Sequence, residues 1–93
     1  MYLIDIEIKG KPADVQVEKH RTWFKNHFEA GDFVIVGPSK TKPLAGIIIA
    51  KSMPQEHLNQ IISEDEFYPD GAIYNINEFQ AKLVNNQAIQ KEG

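Results

Sequence analysis

His20 is the first residue of this chain whose type and position suit it for chemistry. The sequence pattern predicts a helix over residues 15–30, with Val17, Phe24 and Phe28 as its apolar stripe. At 100° per residue His20 lies about 40° from Phe24, so its ring is expected to be half buried at the edge of that stripe. An imidazole can transfer protons near neutral pH. A histidine at such a boundary is more often an ordinary packed residue, so a catalytic role needs a partner.

Asp65 is the partner that the chain order favours. It follows a second predicted helix, over residues 54–63, within an acidic segment. If the two helices lie side by side, a carboxylate just past the end of the second can reach the side of the first. There it would fix the imidazole tautomer and favour its protonated form. The alternative is a solvated acidic loop, which composition alone favours.

Two further features are candidates for ligand binding. Trp23 is about 60° from His20 on the helical wheel, so it either walls the same cleft or belongs to the core. The loop over residues 37–43 begins with Gly37, Pro38, Ser39 and Lys40 and also carries Lys42. Exposed amides and ammonium groups could hold a carboxylate or phosphate there, although most loops of this kind are simply solvated.

Composition excludes several classes of function. The 93 residues make one domain, and 13 acidic against 10 basic residues give a net charge of −3, which argues against nucleic acid as a partner. The absence of cysteine excludes disulfides, thiolate zinc sites and thiol nucleophiles. The three histidines lack metal-ligand spacing and no nucleotide-binding glycine pattern is present, so we expect neither metal nor cofactor. No signal-peptide or membrane-spanning pattern is visible, which predicts a cytoplasmic protein without a membrane partner.

The elements predict an α+β fold. Strands are expected over 2–9, 33–36, 45–51 and 72–79, which with the two helices give the order βαββαβ. Asp14 and a capping box of Ser52 and Gln55 are the expected helix starts, and Gly31 the end of the first helix. This is the ferredoxin-like plan, a four-stranded antiparallel sheet with both helices on one face. Residues 1–79 form that domain, and 80–93 a C-terminal arm that is either frayed or packed on a partner.

The middle two strands are apolar on both sides, so the sheet face away from the helices would expose valine and isoleucine to water. Exposed patches of that kind mark interaction surfaces. A second copy of the chain is the simplest cover, which predicts a homodimer.

Several short motifs together resemble the YCII-related (YciI-like) family over about residues 2–79. They are His20-Arg21 ahead of Trp23, Gly31, the run 36–38, Gly46 before an isoleucine strand, and the run 65–67 before the last strand. The resemblance implies a ferredoxin-like fold paired as a dimeric α+β barrel. It also implies an active-site His and Asp at His20 and Asp65, with lyase-like or dehydrochlorinating chemistry on hydroxylated rings in some members. The family usually has proline where this chain has Glu66, so the orientation of the Asp65 side chain could differ from that in the family.

Two functions compete at this point. One is a cofactor-independent lyase or isomerase in which His20 moves a proton on a small, enol-type or cyclic hydroxylated substrate while Asp65 orients it. The other is a non-catalytic dimer that binds a small metabolite or a protein in the same cleft, with His20 and Asp65 as a structural hydrogen bond. A cofactor-free monooxygenase, the activity of some barrel relatives, ranks last.

Overall fold

A computed structural model describes all 93 residues of the chain. The strands are β1 (Tyr2–Ile8), β2 (Phe33–Pro38), β3 (Ala45–Ala50) and β4 (Ala72–Glu78), and the helices are α1 (Asp14–Glu29) and α2 (Gln55–Ser63). They occur in the predicted order βαββαβ. The sheet order is β2-β3-β1-β4, with every neighbouring pair antiparallel. The ferredoxin-like α+β fold expected from the sequence is confirmed.

One face of the sheet carries the core. Alternate residues of β1 point to this face, and Tyr2, Ile4 and Ile6 are buried against Leu58 and Ile61 of α2. The period of two in a strand places every second side chain on the same side, which is why an alternating sequence forms a half-buried strand. Both helices therefore pack on this face, and the twelve buried apolar residues form one cluster.

Helix α1 contacts the core through a different residue from the one expected. Trp23 is its buried residue, and its indole Nε1–H donates to the Ile61 carbonyl oxygen at 2.9 Å. Val17 and Phe24 pack at the edge of the core, but Phe28 is exposed, so the prediction of Phe28 as a core residue was wrong. The bond from Trp23 to α2 decides which side of α1 faces inward.

The predicted helix starts were also wrong. Ala13 precedes the first residue of α1, and its N–H donates to the Gln16 side chain at 2.9 Å, so Asp14 is the first helical residue instead of the cap. Ser52 does not cap α2; its hydroxyl accepts a hydrogen bond from the Met1 ammonium group at 3.0 Å. The end of α1 follows the prediction, because Gly31 has φ +86°, a left-handed conformation that glycine adopts without strain.

The opposite face of the sheet is uncovered within one chain. The register places five aliphatic side chains on this open face: Leu3, Ile35, Ile47, Ile49 and Ile73. Residues 80–93 contain no helix or strand and are exposed, and they do not cover it. No helix has the combined length and apolarity needed to cross a bilayer.

A second histidine ties three elements together away from the open face. His27, in the last turn of α1, contacts Asp32 with Nδ1 and Glu64 with Nε2, each at 2.9 Å. Carboxylates only accept, so both contacts are hydrogen bonds only when both ring nitrogens carry protons. Lys51 Nζ lies 3.7 Å from the other Asp32 oxygen. This cluster joins the end of α1 to the end of α2 and to the residue after β3.

The cluster predicts an acid dependence of stability. The hydrogen bond from His27 lowers the pKa of Asp32 despite partial burial, and the nearby charges of His27, Lys51 and His57 add to the effect. A carboxyl group with a lowered folded pKa stabilises the fold above its unfolded value, near 3.9, and loses that contribution as the pH falls through its folded value. Asp32→Asn should therefore cost about 1 kcal/mol at pH 6 and progressively less below about pH 4. The free energy of unfolding of both proteins is measured with urea across this pH range. A difference between them that stayed constant with pH would contradict the prediction.

Candidate active site

A short polar contact in the interior joins the two predicted residues. His20 Nδ1 lies 2.6 Å from Asp65 Oδ1, across 45 positions of sequence. Asp65 is 3% exposed, and the His20 side chain 13%. His20 projects from the middle of α1 and Asp65 from the turn after α2, so the side-by-side packing of the helices creates the pair. Although Glu66 stands where the resembled family usually has proline, the Asp65 carboxylate still contacts His20.

Tyr74 completes the arrangement, and sequence reasoning did not identify it. Its hydroxyl donates to Asp65 Oδ2 at 2.5 Å, so each carboxylate oxygen has one side-chain donor. Burial raises the pKa of Tyr74, and the Asp65 hydrogen bond and charge raise it further. The phenol therefore stays protonated and acts as a fixed donor. A tyrosine at an inward position of a strand needs a partner for its hydroxyl, and that was the available signal.

The turn after α2 fixes Asp65 from its backbone as well. The Asp65 N–H donates to the Ile62 carbonyl at 3.1 Å, and its own carbonyl accepts from Tyr68 N–H at 3.0 Å. The turn closes at Gly71, where a Cβ would stand 2.9 Å from the Phe67 carbonyl oxygen, a separation that side chains do not adopt. Glycine at this position lets the chain return tightly into β4, which delivers Tyr74 to the same carboxylate.

Aromatic rings surround the imidazole of His20. Trp23 stacks on it with a centroid distance of 5.6 Å, and Phe24 and Phe67 meet it edge to face at 5.4 and 5.5 Å. Such packing restricts the ring to one orientation. Glu66, which follows Asp65, does not join the pair; it lies 3.9 Å from Lys19 Nζ.

One nitrogen of His20 remains free. Nε2 has no hydrogen-bond partner in the protein. Because every buried side-chain nitrogen and oxygen has a partner, Nε2 is exposed to solvent. An ionised carboxylate can only accept, so the neutral imidazole keeps its proton on Nδ1 and presents an unprotonated Nε2. This is the form that accepts a proton from a bound molecule.

His20 lines a cleft between α1 and the β2–β3 hairpin. The cleft has a volume of about 370 Å³, within the range of small-molecule sites. Its lining is mainly apolar and includes Ile6, Ile8, Val17, Phe24, Val36, Pro38, Leu44, Ala45 and Ile48, with His20, Arg21, Gly37 and Gly46. No group of three His, Asp or Glu side chains is arranged to hold a metal ion.

The structure divides the predicted ligand-binding residues. Gly37 and Pro38 line the cleft together with His20. Trp23 does not, because it is buried in the core with its indole N–H bonded to the Ile61 carbonyl of α2. Ser39 and Lys40 also lie outside the cleft lining. The Ser39 hydroxyl accepts the backbone N–H of Lys42 at 3.1 Å, so it stabilises its own loop.

Leu44, at the rim of the cleft, has an unusual backbone. Its φ is +52°, in the left-handed region where a side chain costs about 1 to 2 kcal/mol. Its carbonyl accepts the Ile8 N–H at 2.9 Å, which ties this conformation to the sheet. Glycine or asparagine is the usual occupant of such a position. A leucine here, 49% exposed, adds an apolar wall to the cleft at the expense of the fold.

Leu44 can be tested with two truncations. Leu44→Gly and Leu44→Ala both remove the side chain, but only glycine removes the left-handed penalty. We expect the glycine variant to be more stable than the alanine variant by about 1 kcal/mol, as measured by denaturant unfolding. Equal stabilities, or a more stable alanine variant, would show that the backbone at residue 44 carries no such cost.

Comparison with known proteins adds no family to this picture. No protein-family model matches the chain, and no curated protein is similar to it. The geometry of the cleft therefore carries the functional argument.

Proposed function

We propose that this chain is a small cofactor-independent enzyme in which His20 acts as general acid and base in the cleft, with lyase or isomerase chemistry on a small, enolisable or cyclic hydroxylated substrate. One observation carries the proposal: His20 Nδ1 is held by a buried carboxylate at 2.6 Å while Nε2 remains free on a residue that lines a cleft. An imidazole with one nitrogen fixed and the other accessible is the arrangement that proton transfer requires.

The proposed roles follow from the contacts. His20 Nε2 removes a proton from a carbon next to a carbonyl, which leaves an enolate. The imidazolium then returns the proton to another position of the enolate or to a departing group. Asp65 stabilises the imidazolium that forms, since it accepts the Nδ1–H bond throughout. Tyr74 is a positioning residue, because its hydroxyl holds the second oxygen of Asp65. Gly37 and Pro38 form part of the cleft wall.

Family and assembly belong to the same proposal. The motifs that resemble the YCII-related family support membership, and the aliphatic open face of the sheet supports a homodimer in which two sheets face each other as an α+β barrel. A cytoplasmic location remains an expectation from the sequence.

The chemistry is tested by hydrogen exchange with solvent, which needs no co-reactant. A panel of small enolisable cyclic ketones and lactones is incubated in D₂O, and loss of the α-proton signal is followed by proton NMR. We expect exchange above the buffer rate for at least one member, and a decrease of about 10²- to 10⁴-fold in His20→Gln. His57→Gln is the matched control, since His57 is an exposed histidine on α2 outside the cleft.

Two results would contradict the proposal. Exchange at the buffer rate across the panel would favour the non-catalytic binding module, and exchange that His20→Gln leaves unchanged would remove the assigned base. Asp65→Asn should reduce exchange without abolishing it, because the free Nε2 is still present.

The dimer has its own test on the open face. Replacing Ile35 and Ile49, a cross-strand pair on that face, by lysine adds two charges without touching the buried core. We expect sedimentation to give a dimer for the native chain and a folded monomer for the double variant, since charges at an apolar interface oppose association. A native chain that sediments as a 10.6 kDa species at micromolar concentration would contradict the prediction.

A further inference from the structure

Arg21 is the one residue with a permanent charge among those that line the cleft, and it follows His20 directly on α1. Every other lining residue except His20 is apolar or glycine. A guanidinium group at the mouth of an apolar cleft supplies both a charge and a planar set of donors. The cleft therefore combines one cationic end with an apolar body.

Most of the donor capacity of Arg21 is unused. Its Nη1 donates to Glu18 Oε1 at 2.9 Å, and no other acceptor in the chain receives a hydrogen bond from it. Arginine has five N–H donors, so the remaining ones are available to a ligand. The side chain is 62% exposed, and it can therefore move toward an incoming anion at little cost.

We infer that the cleft takes small carboxylic acids with an apolar body, and that Arg21 is the residue that selects the carboxylate. The planar guanidinium matches a carboxylate with two parallel N–H···O bonds. A monoanion is favoured over a dianion, because Arg21 supplies one positive charge and Glu18 already lies against it. A dianionic phosphate would add two negative charges beside Glu18, whereas a carboxylate adds one.

The apolar end of the ligand is assigned to the opposite part of the cleft. Phe24 and the buried Ile48 belong to its lining, and so does the exposed Leu44 in spite of its left-handed backbone. The backbone strain at Leu44 is explained if its side chain packs against an apolar ligand. A molecule bound against Arg21 and this wall shares the cleft with His20, whose Nε2 is free.

This inference deepens the proposed function by naming a substrate class for the same cleft, and in that sense it rests on it. Binding can nevertheless be measured without turnover, so the two can fail separately. Lys40 and Lys42, which the sequence offered as anion-binding residues, do not line the cleft, and Lys42 Nζ lies 3.9 Å from Asp5 Oδ2. Arg21 on α1 is the cation that does line it.

The test uses two matched probes, cyclohexanecarboxylate and its uncharged amide cyclohexanecarboxamide. Nitrogen–proton NMR spectra of the full chain are recorded during titration with each probe, and the amide signals of Gly37 and Gly46 report on the cleft. We expect saturable shifts with the carboxylate and binding at least about tenfold weaker for the amide, the loss typical of one charge-assisted pair.

Three variants separate the contributions. Arg21→Gln should weaken carboxylate binding by about tenfold and leave the amide unchanged. Lys25→Gln is the matched control, since it removes the same charge from an exposed position of α1 outside the cleft and should change neither probe by more than about twofold. Leu44→Gly should weaken both probes by a similar factor, because it removes apolar contact and no charge.

Each alternative outcome overturns the inference. Equal binding of carboxylate and amide would show that the cleft does not select for a negative charge. An Arg21→Gln variant that binds like the native chain would show that Arg21 does not bind the carboxylate. Absence of saturable shifts with the carboxylate would exclude the ligand class. Exchange and probe binding are measured separately on the native chain, so exchange at the buffer rate together with saturable carboxylate binding would contradict the chemistry and leave the assigned ligand class intact.

Discussion

The fold and the site depend on one buried carboxylate. Asp65 is 3% exposed, and no lysine or arginine lies within ion-pair distance of it. A buried charge without partners is strongly destabilising, so its two oxygens must be satisfied by neutral or switchable donors. His20 and Tyr74 supply them from α1 and β4. The carboxylate thus joins the helix layer to the edge strand of the sheet, and the same contact leaves one imidazole nitrogen free.

The geometry around this contact divides the protein into a rigid part and an open part. The rings of Trp23, Phe24 and Phe67 hold the imidazole from three sides. The imidazole also lines the cleft between α1 and the β2–β3 hairpin. Close packing fixes the reacting group while the cleft accepts a ligand, a combination that acid–base catalysis requires.

The order of elements could be predicted from strong local patterns. The pair of His20 and Asp65 was named from the chain order and from the family resemblance, whereas composition alone favoured a solvated loop. Alternation specifies the strands, and the position of Asp65 after α2 brings it beside α1 once the helices pack on one face. The orientation of α1 was harder to predict. Phe24 and Phe28 suggested one stripe, but the hydrogen bond from Trp23 to Ile61 turns the helix so that Trp23 is buried and Phe28 is exposed.

Other parts of the site depended on tertiary contacts that leave little trace in one sequence. Leucine gives no sign of a left-handed backbone, so the strain at Leu44 was invisible. Ser39 and Lys40 had suitable chemistry but belong to a loop stabilised by its own hydrogen bonds. Arg21 was visible only as a neighbour of His20, since its position at the cleft follows from the path of the hairpin. Tyr74 was the exception, because an inward tyrosine requires a partner.

The most direct test of this account is the tautomer of the neutral His20 ring. Two-bond nitrogen–proton correlation NMR of the native chain at pH 9, with His57 as the exposed reference, shows which ring nitrogen carries the proton. The account predicts the proton on Nδ1, donated to Asp65, with Nε2 unprotonated and available in the cleft. A proton on Nε2 would mean that Asp65 does not orient the ring, and it would contradict the assignment of His20 as the base.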